Sequence, residues 1–226
     1  MSFHQELLTA VAPLWQRKLA HPFLTAVADG SIADTTFKTW IAQDYLFVEG
    51  SVPFLGLLTA KAPVALRPAL GGAITAFNTE LGLFEQQMAA HEVTLTREYS
   101  PTCHAYLQFL LATAYDRPFE IGFTVLYAAE KAYFDAWERV RTTQTGDSKW
   151  QAFINNWTSD AFRGYVDWLA GTLDTLAADA APAMRAEMHT YFRYTTLYEY
   201  RFWEMAYTAE TWDSPLLQAM HADAGA

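Results

Sequence analysis

The chain has 226 residues, room for one compact domain rather than two. Hydrophobic residues make up 52% and aromatic residues 15%, so a large, ring-rich core is expected. Fifteen basic against twenty-five acidic residues leave a net charge of −10, which argues against nucleic acid and anionic membrane as partners.

A single cysteine, Cys103, excludes an intrachain disulfide framework and a thiolate metal cluster. The N-terminal stretch carries acid early and lacks a basic-then-apolar leader pattern. Uncharged runs over Gly50–Ala60 and Pro68–Thr79 are too short to span a bilayer. A soluble, cytoplasmic protein is the expectation.

In chain order, Phe3–Ala28 is amphipathic and predicts one helix that stops at the Asp29-Gly30 turn. Asp34–Lys61 predicts a second helix, with Pro53 as a point where it would break. Pro63 and Pro68 separate it from a helix over Leu70–His91, and the polar stretch Glu92–Ser100 is a connection. Thr102–Tyr115 and Phe119–Arg141 are helical, divided by a turn at Asp116-Arg117-Pro118. After the polar stretch Thr142–Ser148 come long helices over Lys149–Ala178 and Pro182–Glu210, then a short tail helix over Leu216–His221. Period-two alternation is weak throughout. The fold class is therefore all-α, a single-domain helical bundle over residues 1–226.

Three acids break the apolar pattern. Asp44 lies four residues after Trp40 and three before Phe47, on the face that should turn inward. It fits either a site or a salt bridge near a helix end. Glu130 fills the one gap in the apolar row Phe123, Leu126, Tyr133 and Trp137. Lys131 is off that row, so it offers no partner there. Glu199, within YEYRFWEMAY (Tyr198–Tyr207), shares a face with Phe192, Phe202 and Ala206. An uncompensated buried charge costs several kcal/mol, roughly, so each acid should be paired, protonated or functional. Three helices with one inward acid each point to a common polar site in an aromatic interior.

Other chemistries are disfavoured. No His follows a Glu at the Glu-x-x-His spacing of di-iron bundles, so no metal site is expected. Cys103 and His104 are adjacent on a helix and point about 100° apart, too far for a thiolate–imidazole pair. GxGxxG, P-loop, HExxH and GxSxG motifs do not occur, and no cofactor is expected.

The same positions carry a family resemblance. HPF at His21–Phe23, DG at Asp29-Gly30, FKTWIAQDYLF at Phe37–Phe47, SPT at Ser100–Thr102 and YEYRFWEMAY at Tyr198–Tyr207 make the chain similar to the TenA/thiaminase II family. The resemblance implies a haem-oxygenase-like all-α fold and aminopyrimidine hydrolysis in thiamin salvage. It implies that Asp44 binds the pyrimidine amino group and that Phe47, Tyr106, Tyr133 and Trp157 wall the ring. Trp157 stands where the family often has tyrosine. Glu199 matches the acid that protonates the leaving amine and then activates water. The better-known branch carries a nucleophilic cysteine in the helix that here spans Phe119–Arg141. Ungapped from Tyr106, that place holds Ala129 with Glu130 beside it. The chain thus resembles the cysteine-less branch, in which a glutamate stands in and the substrate is an aminomethylpyrimidine or its N-formyl form.

That leaves Glu199 and Glu130 as the catalytic pair, with the roles of acid and base undivided. The resemblance also implies a homo-oligomer, a tetramer or dimer. Two other readings stay open: a non-catalytic pyrimidine- or thiamin-binding regulator, and an oxidoreductase on the same scaffold. The first would not need both glutamates. The second would want a histidine ligand or a basic cofactor cluster, and the sequence has neither.

Overall fold

A computed structural model describes residues 1–212, and these contain ten α-helices, one 3₁₀ turn and no strand. The tail helix expected over Leu216–His221 lies outside the described residues. Among the described residues, no helix is long and apolar enough to cross a membrane.

The single N-terminal helix expected over Phe3–Ala28 is three: α1 (Phe3–Ala10), α2 (Ala12–Leu19) and α3 (Pro22–Asp29). Two prolines explain the breaks. Pro13 and Pro22 each fit a first helical turn, where no N–H is needed. His21 caps α3 by accepting the Phe23 N–H through Nδ1 at 3.1 Å. Gly30, at φ +77°, ends α3 in the left-handed conformation that glycine takes without strain.

α4 (Asp34–Lys61) runs unbroken through Pro53, contrary to the expected break. A 3₁₀ turn at Val64–Leu66 leads into α5 (Arg67–Ala90). α6 (Pro101–Asp116) is capped by Ser100, whose Oγ accepts the Cys103 N–H at 3.2 Å. α7 (Phe119–Thr143) is the central helix. Its run from Ile121 to Ala128 is buried on all sides, as a continuous apolar sequence allows.

The helix expected over Lys149–Ala178 is also divided, into α8 (Gln151–Trp157) and α9 (Asp160–Ala178). Ser159 separates them by capping α9, its Oγ accepting the Phe162 N–H at 3.2 Å. α10 (Pro182–Thr208) completes the bundle and packs along α7, with α4 and α6 on its flank.

An aromatic cluster ties the layers together. The Trp40 ring lies 4.9–6.3 Å from Phe23, Phe37, Phe84, Trp137, Phe153, Trp157 and Trp203. These residues come from α3, α4, α5, α7, α8 and α10. The cluster forms the floor on which the polar cavity sits.

Candidate active site

A cavity of about 550 Å³, counted to its open mouth, lies between α4, α5, α7 and α10 and is closed on one side by the end of α8. Asp44, Glu80, Glu130 and Glu199 line it, one from each of these four long helices. Phe47, Phe54, Phe77, Tyr133 and Trp157 supply its rings, and Ala129 reaches it from α7. No lysine, arginine or histidine lines it. Among the described residues, no three His, Cys, Asp or Glu side chains are grouped as metal ligands.

Asp44 is 1% exposed. Its Oδ1 accepts the Tyr133 hydroxyl at 2.5 Å, while its Oδ2 has no partner. Burial pushes its carboxyl well above the usual range, and the Tyr133 hydrogen bond opposes this. The Tyr133 ring stacks on Trp203 at 5.4 Å and meets Trp157 edge-on at 5.4 Å. Its position is therefore set by packing as well as by Asp44. No salt bridge holds Asp44, so the expectation of a buried ion pair near a helix end does not describe it.

Glu199 is 2% exposed. Its Oε1 accepts the Tyr106 hydroxyl at 2.6 Å and its Oε2 is unpartnered. Burial raises its carboxyl to about 7, against the opposing pull of the Lys18 ammonium and the Tyr106 hydrogen bond. Tyr106 itself does not border the cavity. It stands behind Glu199, its ring 4.7 Å from Phe47 and stacked on Tyr198 at 4.9 Å. The expected ring wall of Phe47, Tyr106, Tyr133 and Trp157 thus loses one member to a supporting position.

Glu130 is 7% exposed, and its Oε1 has no partner. Burial, then the charge of Glu199, raises its carboxyl to about 8. The Tyr165 hydroxyl lies alongside and pulls the other way, without forming a well-made hydrogen bond; its oxygen too is unpartnered. Cys103 is buried away from the cavity with its Sγ 3.5 Å from the Gln43 carbonyl oxygen, and burial raises its thiol. It is no source of thiolate here.

Two residues of this region escaped the sequence reading. Glu80, on α5, is half-buried and has its carboxyl pushed up to about 8, first by desolvation and then by Glu130. It sits three residues after Phe77 and four before Phe84, the same gap-in-a-row signal that marked Glu130. Lys18 is 0% exposed. Its Nζ donates to the Ala132 carbonyl at 2.9 Å and lies 3.8 Å over the Trp15 ring. Burial lowers its ammonium to about 7, with Glu199 the chief opposing charge. Lys18 is three residues after Trp15 on one helical face, but a lysine beside a tryptophan reads as a snorkelling surface side chain from sequence.

The layered helices and the acid-lined cavity define an all-α protein of haem-oxygenase-like fold. A Shewanella denitrificans domain with that fold superposes at a TM-score of 0.73 and 12% identity, over 91% of this chain and 92% of that one. The chain belongs to the TENA/THI-4/PQQC family, whose family model matches residues 8–209. A TenA homologue of Pyrococcus furiosus superposes at a TM-score of 0.89 with 34% identity, covering 91% of this chain and all of that one. The aminopyrimidine aminohydrolase of Bacillus subtilis is 25% identical over 224 residues, 96% of this chain and 95% of its own. That of Halalkalibacterium halodurans is 24% identical over 94% of this chain and 99% of its own.

Proposed function

We propose that the chain is a hydrolase of thiamin salvage. It would release the amine or formyl group from 4-amino-5-aminomethyl-2-methylpyrimidine or its N-formyl amide. The observation that carries this reading is the pairing of Glu130 and Glu199. They face one aromatic cavity from two helices, each with an oxygen that has no protein partner. The names of the Bacillus and Halalkalibacterium relatives support the reaction class.

In this reading Phe47, Tyr133 and Trp157 hold the pyrimidine by stacking, and Asp44 accepts from its exocyclic amino group. Tyr106 orients Glu199 rather than touching the ring. Glu199 is the better-stabilised carboxylate, with a phenol hydrogen-bonded to it and a buried cation nearby, so it serves as the base that takes a proton from water. Glu130 has neither support and stands at the leaving nitrogen, holding or supplying its proton. With Ala129 where a cysteine would serve, water attacks directly and no thiolate intermediate forms. Each acid or base contribution is worth about 10²–10⁴ in rate.

Glu199→Gln and Glu130→Gln should each cut turnover of both pyrimidines by at least about 10² while leaving helicity unchanged. Wild-type rates in both variants, with circular dichroism unaltered, would sink the assignment. The enzyme would act in the cytoplasm as a dimer or tetramer. Exposed Tyr194, Leu197 and Tyr207 on α10 suit such self-association, and a monomer by light scattering would exclude it.

A further inference from the structure

The start of α6 is tied to the end of α10, and these are the two helices whose side chains make the Tyr106–Glu199 hydrogen bond. The first turn of a helix leaves N–H groups that need acceptors from outside it. In α6 each has a definite fate. Pro101 has no N–H, Cys103 donates to the Ser100 Oγ at 3.2 Å, and His104 donates to the Ser100 carbonyl at 2.9 Å. That leaves the Thr102 N–H, whose acceptor comes from beyond α10: the Glu210 Oε2, at 2.8 Å. Two residues on, the Trp212 Nε1 donates to the Tyr99 carbonyl at 2.6 Å, and its ring meets His104 edge-on at 5.9 Å.

The backbone bends to make this reach. Ala209, at φ +53°, ends α10 in the left-handed conformation, which is unfavourable for a residue with a Cβ. The Glu210 N–H then closes onto the Met205 carbonyl at 2.9 Å. On its other side the start of α6 is fixed to α4. The buried Gln43 accepts the Ser100 N–H at 2.9 Å and donates to the Glu98 carbonyl at 2.9 Å.

We propose that Glu210 is a positioning residue for the acid–base chemistry: by holding the start of α6 against the end of α10, it sets the Tyr106 hydroxyl on the Glu199 carboxylate. This rests on the reading of Glu199 as the base. Tyr106 lies one turn after Thr102, so a shift of α6 at this end carries the phenol with it. Without Glu210, α6 stays bound to α4 through Gln43, and the freedom gained lies between α6 and α10. The 2.6 Å hydrogen bond to the Glu199 Oε1 is the contact that such a shift loosens. That bond holds the Glu199 carboxyl down, so loosening it moves the Glu199 midpoint to higher pH.

The test reads that midpoint in two ways on the full chain. One is the acidic limb of kcat/KM; the other, independent of turnover, is infrared titration of the carboxyl band that Glu199→Gln removes. The other groups acting on Glu199 are Lys18 from α2, Asp44 from α4, and Glu130 and Tyr133 from α7, and none is altered. Glu210→Ala should raise both midpoints by more than about 0.3 pH unit. Glu210→Gln removes the same charge but keeps an acceptor for Thr102, so it should restore the wild-type values. In a Tyr106→Phe background, Glu210→Ala should move neither midpoint. Should Glu210→Ala not fold, Trp212→Phe, which loses the bond to Tyr99, is read in the same way. A smaller or downward shift, equal shifts in the Ala and Gln variants, or an undiminished shift without the Tyr106 hydroxyl overturns the proposal. No wild-type turnover of either pyrimidine sinks the hydrolase reading instead, and the infrared midpoints alone then judge Glu210.

Discussion

Two groups partly compensate Glu199 for the water it loses in an aromatic interior. Tyr106 donates to Oε1 at 2.6 Å, and the Lys18 ammonium supplies a buried positive charge. Both pull against burial, and the balance leaves the carboxyl at about 7. Removing either should raise it further. If Glu199 must be ionised to act as base, the acidic limb of the kcat/KM profile then moves to higher pH. Tyr106→Phe and Lys18→Met should both show this, with Lys18→Met the larger because it removes a whole charge. Glu199 and Lys18 titrate near the same pH, so the limb belongs to the pair rather than to one residue. An unmoved limb in both variants would mean that Glu199 is not the titrating base.

α4 is the element that most shapes the cavity, since Asp44, Phe47, Val48, Ser51 and Phe54 all come from it. It accomplishes this with a proline in its interior. Pro53 has no N–H for the Glu49 carbonyl one turn earlier, and its ring crowds that carbonyl. Ser51 sends its Oγ back to the Phe47 carbonyl at 2.7 Å within the same stretch. The proline is exposed, so no packing demands it. Pro53→Ala should stabilise the protein by about 1 kcal/mol, part of the roughly 3 kcal/mol that separates the two residues in helix interiors. A urea midpoint that falls or stays fixed would show that the proline is needed to set the path of α4. Where α4 meets α6, a Cβ on Gly50 would lie 2.7 Å from Leu107 Cδ1, so glycine permits that close approach.

At the scale of the whole molecule, burying carboxyls makes stability depend on pH. Glu80, Glu130 and Glu199 titrate near 8, 8 and 7 in the folded chain, against an ordinary 4.5. Between pH 4.5 and 8 the folded chain therefore holds more protons than the unfolded one. Their favourable contribution is complete below pH 4.5 and is lost as the pH rises through 7 to 8. Lys18 acts in a different window. Its folded value near 7 lies below the ordinary 10.5, so its burial penalty is full below pH 7 and fades as the pH climbs toward 10.5. From pH 5 to 8 the three glutamates dominate, and Tm in scanning calorimetry should fall by several degrees. A Tm that rises across that interval would contradict carboxyls held above their ordinary range by burial.

The helical class, the central position of YEYRFWEMAY and the inward acids Asp44, Glu130 and Glu199 were all legible in the sequence. Helical periodicity puts each acid on a face whose other members are apolar, and that is a local property. The breaks at Val11, Ala20 and Thr158 were legible only in hindsight, because a proline or serine that starts one helix looks the same inside a longer amphipathic run. What local pattern does not carry is distance between helices. Only the packing of α5 against α4 brings Glu80 into the cavity that Glu130 lines from α7. Only the tertiary structure moves Tyr106 from the wall of the cavity to the back of Glu199, and buries Lys18 near it. The sequence alone determined which side chains turn inward. The fold decided which of them meet, because contacts between residues dozens of positions apart depend on how whole helices pack.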